Sequence, residues 1–261
     1  MLTRTRRWLP AIASLLALAA CKAELADQIE EPAAAPSETL GLMTSLPLYW
    51  PLGADFAAIA NGTAEVPWQR GVLERGYELV LLDTLSPIPG LTPDAPESDP
   101  LAAIEHLAVI QPRGLSPADN VALDDWVRDG GQLLLVLDPQ LTGDYDLALG
   151  DPRRPADTAL VAPVVTRWGL DIDFPLEAAL DDSLHELPLG SGTLTAERAG
   201  RIEIVNADAA DCELFANNVV ARCSIGEGFV TLVADAAVFE HQSLAGAQGE
   251  AIANLLRFAF P

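Results

Sequence analysis

The run 107–138 restricts the fold more than any other stretch of the chain. Residues 107–111 (LAVIQ) form an apolar strand without polar alternation. Ser116 then stands as a helix N-cap, with Pro117 at the first helical position and Asp119 placed to complete a capping box. Val121, Leu123, Trp126 and Val127 fall mainly on one helical face, and Gly130-Gly131 ends the helix. A second apolar strand, 132–138 (QLLLVLD), follows at once. Strand, helix and strand joined by short links cross over in parallel. Strands that are apolar on both sides need helices on both faces of the sheet. The spacing therefore predicts an α/β domain built on a mostly parallel sheet.

Other segments extend this pattern. Residues 42–50, 77–83 and 229–235 read as further strands, and 170–174 as a short one. Helices are expected over 68–75, 158–168 and 249–260. The stretch 84–100 holds five prolines and reads as a loop. From about 190 to 225 short alternating segments predict an antiparallel β insertion.

The first twenty residues have the pattern of an export signal. Arg4, Arg6 and Arg7 precede the apolar run 9–18, which is shorter than the roughly 20 residues a membrane-spanning helix needs. Leu18-Ala19-Ala20-Cys21 resembles the lipobox of bacterial lipoproteins, which implies cleavage before Cys21 and lipidation of its sulfur. Lys22 follows, so the expected address is the periplasmic side of a bacterial membrane, the outer membrane before the inner. Residues 21–40, rich in Ala, Pro and Glu, read as a lipidated tether, leaving 41–261 for one α/β domain. Loss of the three arginines takes the formal charge from −23 to −26. Such a surface repels nucleic acid and anionic headgroups and favours a body held off the bilayer by its tether, or a basic partner; an acidic proteome would give the same charge. The partner expected is an envelope protein.

Cys212 and Cys223 bracket CELFANNVVARC. A two-residue turn at Asn217-Asn218 would place the two cysteines directly opposite each other on paired strands, within disulfide range. An oxidising periplasm would preserve the bond.

Ligands collect at the carboxyl ends of strands in open parallel sheets. Three strands end in aspartate, at Asp83, Asp138 and Asp235, and a fourth ends at Gln111. Clustered carboxylates there could bind a divalent cation or share a proton, and His241 lies close enough in sequence to join them. The competing reading is that each aspartate caps the loop after its strand. Arg153 and Arg154, paired in an acidic chain, could clamp an anion or bind neighbouring acids. His106 and His185 stand alone and read as incidental. Neither G-x-S-x-G, a phosphate-binding P-loop, G-x-G-x-x-G nor H-E-x-x-H occurs. No cofactor is implied.

Three segments in order, 106–139, 166–173 and 226–260, resemble the glutamine-amidotransferase-like domains of GldG-type and DUF4350-like auxiliary components of ABC transporters. The resemblance implies a flavodoxin-like sheet. It also implies loss of amidotransferase activity, because the nucleophilic cysteine of that class has no counterpart here. The expectation that follows is a non-enzymatic envelope lipoprotein, a binding or assembly component auxiliary to an ABC-type transporter. Two alternatives stand beside it. One is a metal-assisted hydrolase using the strand-end aspartates. The other is a periplasmic small-ligand receptor with an apolar cleft.

Overall fold

The computed structural model describes residues 38–92 and 94–261, apart from the side chain of Phe56. The export segment, Cys21 and the first part of the expected tether lie outside the described residues. No helix among the described residues is long and apolar enough to cross a membrane.

The chain opens with β1 (Glu38–Thr44), the short helices α1 (Phe56–Ala60) and α2 (Trp68–Leu73), and β2 (Tyr77–Leu81). The central unit is β3 (His106–Ile110), α3 (Pro117–Arg128) and β4 (Gln132–Val136). Then come α4 (Pro163–Arg167), β5 (Leu170–Asp173), α5 (Leu176–Ala179), β6 (Leu184–Leu189), β7 (Gly192–Glu197) and β8 (Arg201–Ile204). The chain continues through β9 (Asp211–Phe215), β10 (Val220–Ile225) and β11 (Gly228–Val233), and ends in α6 (Ala237–Glu240), α7 (Gln242–Ala245) and α8 (Glu250–Ala259).

The main sheet has seven strands in the order β2-β1-β3-β4-β11-β10-β9. The first five are parallel; β10 and β9 extend the sheet in antiparallel pairing. The expected α/β architecture with a mostly parallel sheet is therefore present. Successive side chains along β3 and β4 divide between two cores. Ala108, Ile110, Leu134 and Val136 enter one with Ile252, Leu255 and Phe239. Leu107, Val109, Leu133 and Leu135 enter the other with Leu123, Val127, Val165 and Trp168. Alternate residues thus bury against helices on opposite faces, which is why these strands are apolar throughout.

Helix α3 starts as its sequence requires. The Ser116 hydroxyl accepts from Asp119 N–H at 3.0 Å, and Asp119 Oδ2 accepts from Ser116 N–H at 3.1 Å. Its polar face is also committed. Asn120 Oδ1 accepts from Val164 N–H at 3.1 Å and Asp124 Oδ1 from the Trp168 indole N–H at 2.8 Å, so both fix α4 against α3.

Several expected boundaries move. β1 begins at Glu38, inside the segment read as a tether, and 45–50 are bends rather than strand. The helix expected over 158–168 is only the short α4, because Pro163 can begin a helix but cannot sit inside one. The β-rich region starts earlier, at Leu184, and it is not a single insertion. β6-β7 and β5-β8 form separate two-stranded sheets, while β9 and β10 join the main sheet. The Cys212–Cys223 disulfide forms with its Cα atoms 4.0 Å apart, in the expected register. The turn is longer than two residues. Ala216, Asn217 and Asn218 all take positive φ, of 50°, 54° and 68°. The two asparagines tolerate this readily; the alanine is the strained position.

Candidate functional site

The carboxyl ends of the parallel strands separate the expected site residues. Asp83 lies exposed after the edge strand β2, three strands from β4 and about 14 Å away at ordinary strand spacing. It does not join the others. Gln111 is fully buried with φ +45°. Its amide nitrogen donates to the carbonyls of Asp138 (3.1 Å) and Ala156 (2.8 Å), and its oxygen accepts from Asp138 N–H at 2.8 Å. The Ser45 hydroxyl donates to Gln111 O at 2.5 Å and accepts from Ala156 N–H at 3.1 Å. The chain's own segment around Ala156 therefore fills the space over β3, and Gln111 is a joint rather than a ligand contact. Arg153 and Arg154 are also local. Arg153 pairs with Asp151 at 2.8 Å, and Arg154 pairs with Asp157 at 2.6 Å and donates to the carbonyls of Tyr145 and Leu147. Both brace their own loop.

Asp138 and Asp235 do come together. They lie two positions beyond Val136 and Val233, which are paired in register on β4 and β11. Both are buried. Asp138 Oδ1 accepts from Gln140 N–H (2.7 Å) and Oδ2 from Ala236 N–H (2.8 Å). Asp235 Oδ1 accepts from Ala237 N–H and Oδ2 from Glu197 N–H, both at 2.9 Å. Each aspartate therefore caps loops, and the two also share one polar enclosure. Burial pushes the Asp138 carboxyl up to about 7; its two backbone hydrogen bonds oppose the rise, and Glu240 and Glu197 add to it. Burial and the neighbouring Asp138 hold Asp235 well above the usual carboxylate range.

A partly exposed rim covers this pair. Glu240, the last residue of α6, binds the loop after β4. Its Oε2 accepts from Thr142 N–H (3.0 Å), and its Oε1 from Gly143 N–H (2.9 Å) and the Tyr145 hydroxyl (2.7 Å). Burial and the Glu240 carboxylate raise the Tyr145 phenol far above its ordinary range, so it stays a donor. His241 Nε2 lies 2.9 Å from the Thr142 hydroxyl and 3.9 Å from Glu197 Oε2. The site thus comprises Thr142, Tyr145, Glu197, Glu240 and His241 over Asp138 and Asp235. Of the rim, the sequence had pointed only to His241. Its neighbour Glu240 was a visible clue, whereas Thr142 and Glu197 arrive from elements with no local motif. Among the described residues no three His, Cys, Asp or Glu side chains are grouped to hold a metal ion. The metal-assisted form of the hydrolase expectation therefore finds no donor set there.

No protein-family model and no curated protein matches this chain. Solved structures do. The exo-β-1,4-mannosidase Op5Man5 from Opitutaceae bacterium strain TAV5 is 17% identical with a TM-score of 0.48, over 86% of this chain and 36% of that one. The cold-adapted β-galactosidase from Rahnella sp. R3 is 11% identical with a TM-score of 0.45, over 85% and 31%. The β-galactosidase from Bacillus circulans sp. alkalophilus is 14% identical with a TM-score of 0.45, over 86% and 31%. The chain thus spans about a third of the length of these enzymes.

These findings correct the sequence reading. The matching structures named above are glycoside hydrolases, not GldG-type or DUF4350-like domains, and none of them supports a lipoprotein auxiliary to an ABC transporter. The expectation of a non-enzymatic binding component falls with that resemblance. The motifs behind it, a helix closed by Gly-Gly and a strand closed by Asp-Pro, are the caps and turns that any parallel strand–helix–strand unit needs. Sharing them reflects local physics and does not identify a family.

Proposed function

We propose that the chain is a hydrolase in which His241 is the general base and the Thr142 hydroxyl is the group it deprotonates. The observation that carries this reading is the 2.9 Å contact between Thr142 Oγ1 and His241 Nε2 on the open side of a carboxylate cluster. A hydroxyl within hydrogen-bond reach of an imidazole is the arrangement an activated oxygen nucleophile requires. Glu197 lies where it stabilises positive charge on the ring as it takes up the proton. Asp138 and Asp235 are positioning residues. They hold the starts of the loop after β4 and of the turn into α6, and so set the distance between Thr142 and His241.

The order of the five parallel strands supports a flavodoxin-like sheet, in which function sits at the carboxyl edge. The disulfide supports export to an oxidising compartment, for which we propose the periplasm.

The test is a hydrolysis assay on the purified chain with p-nitrophenyl acetate and butyrate, alongside the p-nitrophenyl β-mannoside and β-galactoside. We expect His241→Gln and Thr142→Val each to lower turnover at least about 100-fold, the ordinary contribution of a general base, with melting temperatures near that of the parent. Hydrolysis that survives both substitutions, or its absence with every substrate, would overturn the reading.

A further inference from the structure

A separate cavity of about 240 Å³ lies between the β6-β7 hairpin, α5 and the start of β8. At about 30 Å³ per water molecule it has room for a ligand of monosaccharide size or smaller. Its charged lining runs against the character of the molecule. In a chain with 38 acidic and 15 basic residues, Arg198, Arg201 and His185 line this space, with Asp181 as the one carboxylate.

Arg198 is held there at a cost. Its φ is +54°, a conformation that a residue with a long side chain rarely adopts. Its Nε is buried without a hydrogen-bond partner. Its guanidinium pairs with Asp182, whose side chain is 76% exposed, and a carboxylate so exposed holds an arginine weakly. Arg201 stands opposite Asp173 in the β5-β8 register, yet among the described residues it makes no side-chain ion pair. His185 Nε2 reaches Asp181 Oδ2 at 3.0 Å, which leaves Arg201 as the cavity's unpaired charge and Arg198 held only by the exposed Asp182. An unused buried donor on Arg198 and two arginines lining one small cavity suit an oxyanion, because arginine binds carboxylate and phosphate through paired donors.

We propose that this cavity binds the oxyanion group of a small ligand, a carboxylate or a phosphate, through Arg198 and Arg201. The turn that places Arg198 also places Glu197 beside His241. The proposal nevertheless stands without the hydrolase reading, because binding is measured without turnover.

Isothermal titration of the full chain at low ionic strength, with inorganic phosphate and separately with glucuronate, tests it. Saturable binding of at least one probe is expected. Affinity should fall about tenfold or more in Arg198→Gln and in Arg201→Gln, the effect of losing a charge-assisted hydrogen bond, and should hold in Arg153→Gln on a separate loop. Tighter binding of phosphate assigns a phosphorylated ligand, and tighter binding of glucuronate an acidic sugar or similar carboxylate. Arg201 is exposed, so its variant keeps the test valid if Arg198→Gln disturbs the turn. The absence of saturable binding with both probes, or equal affinity in all variants, would overturn the proposal.

Discussion

Two buried aspartates behave in opposite ways, and the difference lies in how deeply each is enclosed and what surrounds it. At Asp119 burial favours the neutral form, but bonds from Ser116, Thr84, Leu85 N–H and Ser86 N–H outweigh it, and the net shift is downward. At Asp138 burial wins, because two backbone donors are set against neighbouring carboxylates. The signs of the pH dependence follow. The stability due to Asp119 is present above about pH 4 and is lost as pH falls below it, because folding holds that carboxyl ionised. The contribution of Asp138 is complete below its unfolded value near 4 and is lost as pH rises through about 7. Urea midpoints should therefore fall between pH 5 and pH 8, and the fall should flatten in Asp138→Asn; an unchanged slope in that variant would remove Asp138 as its source. Asp119→Ala leaves Leu85 N–H buried without its acceptor and removes the capping box. It should cost about 2–4 kcal/mol in chemical denaturation at pH 7.

At the scale of elements, the β9-β10 hairpin shows how far a local pattern can carry. The register that opposes Cys212 to Cys223 follows from spacing alone, and it holds although the turn between them is not the simplest one. The cross-link closes a short loop, with the cysteines 11 positions apart. In the chain-entropy account this contributes about 3 kcal/mol. Replacing both cysteines by serine should lower the denaturation midpoint by that amount and leave the far-ultraviolet circular dichroism intact, since β10 remains paired with β11. Helix α4 shows the opposite case. The pattern over 158–168 suggested a longer helix, but Pro163 fixes its start. Gly169 fixes its end: its φ is +82°, and a Cβ there would clash with the Asn206 carbonyl oxygen. Gly169→Ala therefore meets both strain and a backbone clash and should destabilise by about 1–3 kcal/mol, read as a drop in melting temperature.

For the molecule as a whole, charge is the dominant surface property. A formal charge of −23 on 261 residues repels itself in the compact state. Raising salt from about 0.02 M to 0.5 M shortens the screening length several-fold. The melting temperature should rise by about 2–5 °C if this repulsion is the main long-range term. A melting temperature independent of salt would show that the acids are compensated locally. Among the described residues six arginine–carboxylate pairs exist, two of them Arg128 and Arg167 around Asp124, but 15 basic residues are too few to compensate 38 acids in this way.

The strand–helix–strand unit, its caps and the hairpin register were legible in the chain because each depends on residues close together in sequence. The apolar period, the N-cap at Ser116 and the spacing of two cysteines act locally, so they can be read locally. Which strand-end carboxylates share a site could not be read that way. That depends on strand order. β11, late in the chain, pairs beside β4 and brings Asp235 to Asp138, while β2 stays at the sheet edge and leaves Asp83 alone. Thr142 and Glu197 reach His241 only through the loops those neighbours hold. Strand order is settled by how both faces of the sheet are buried, a property of the whole packed molecule, and only the tertiary structure contains it.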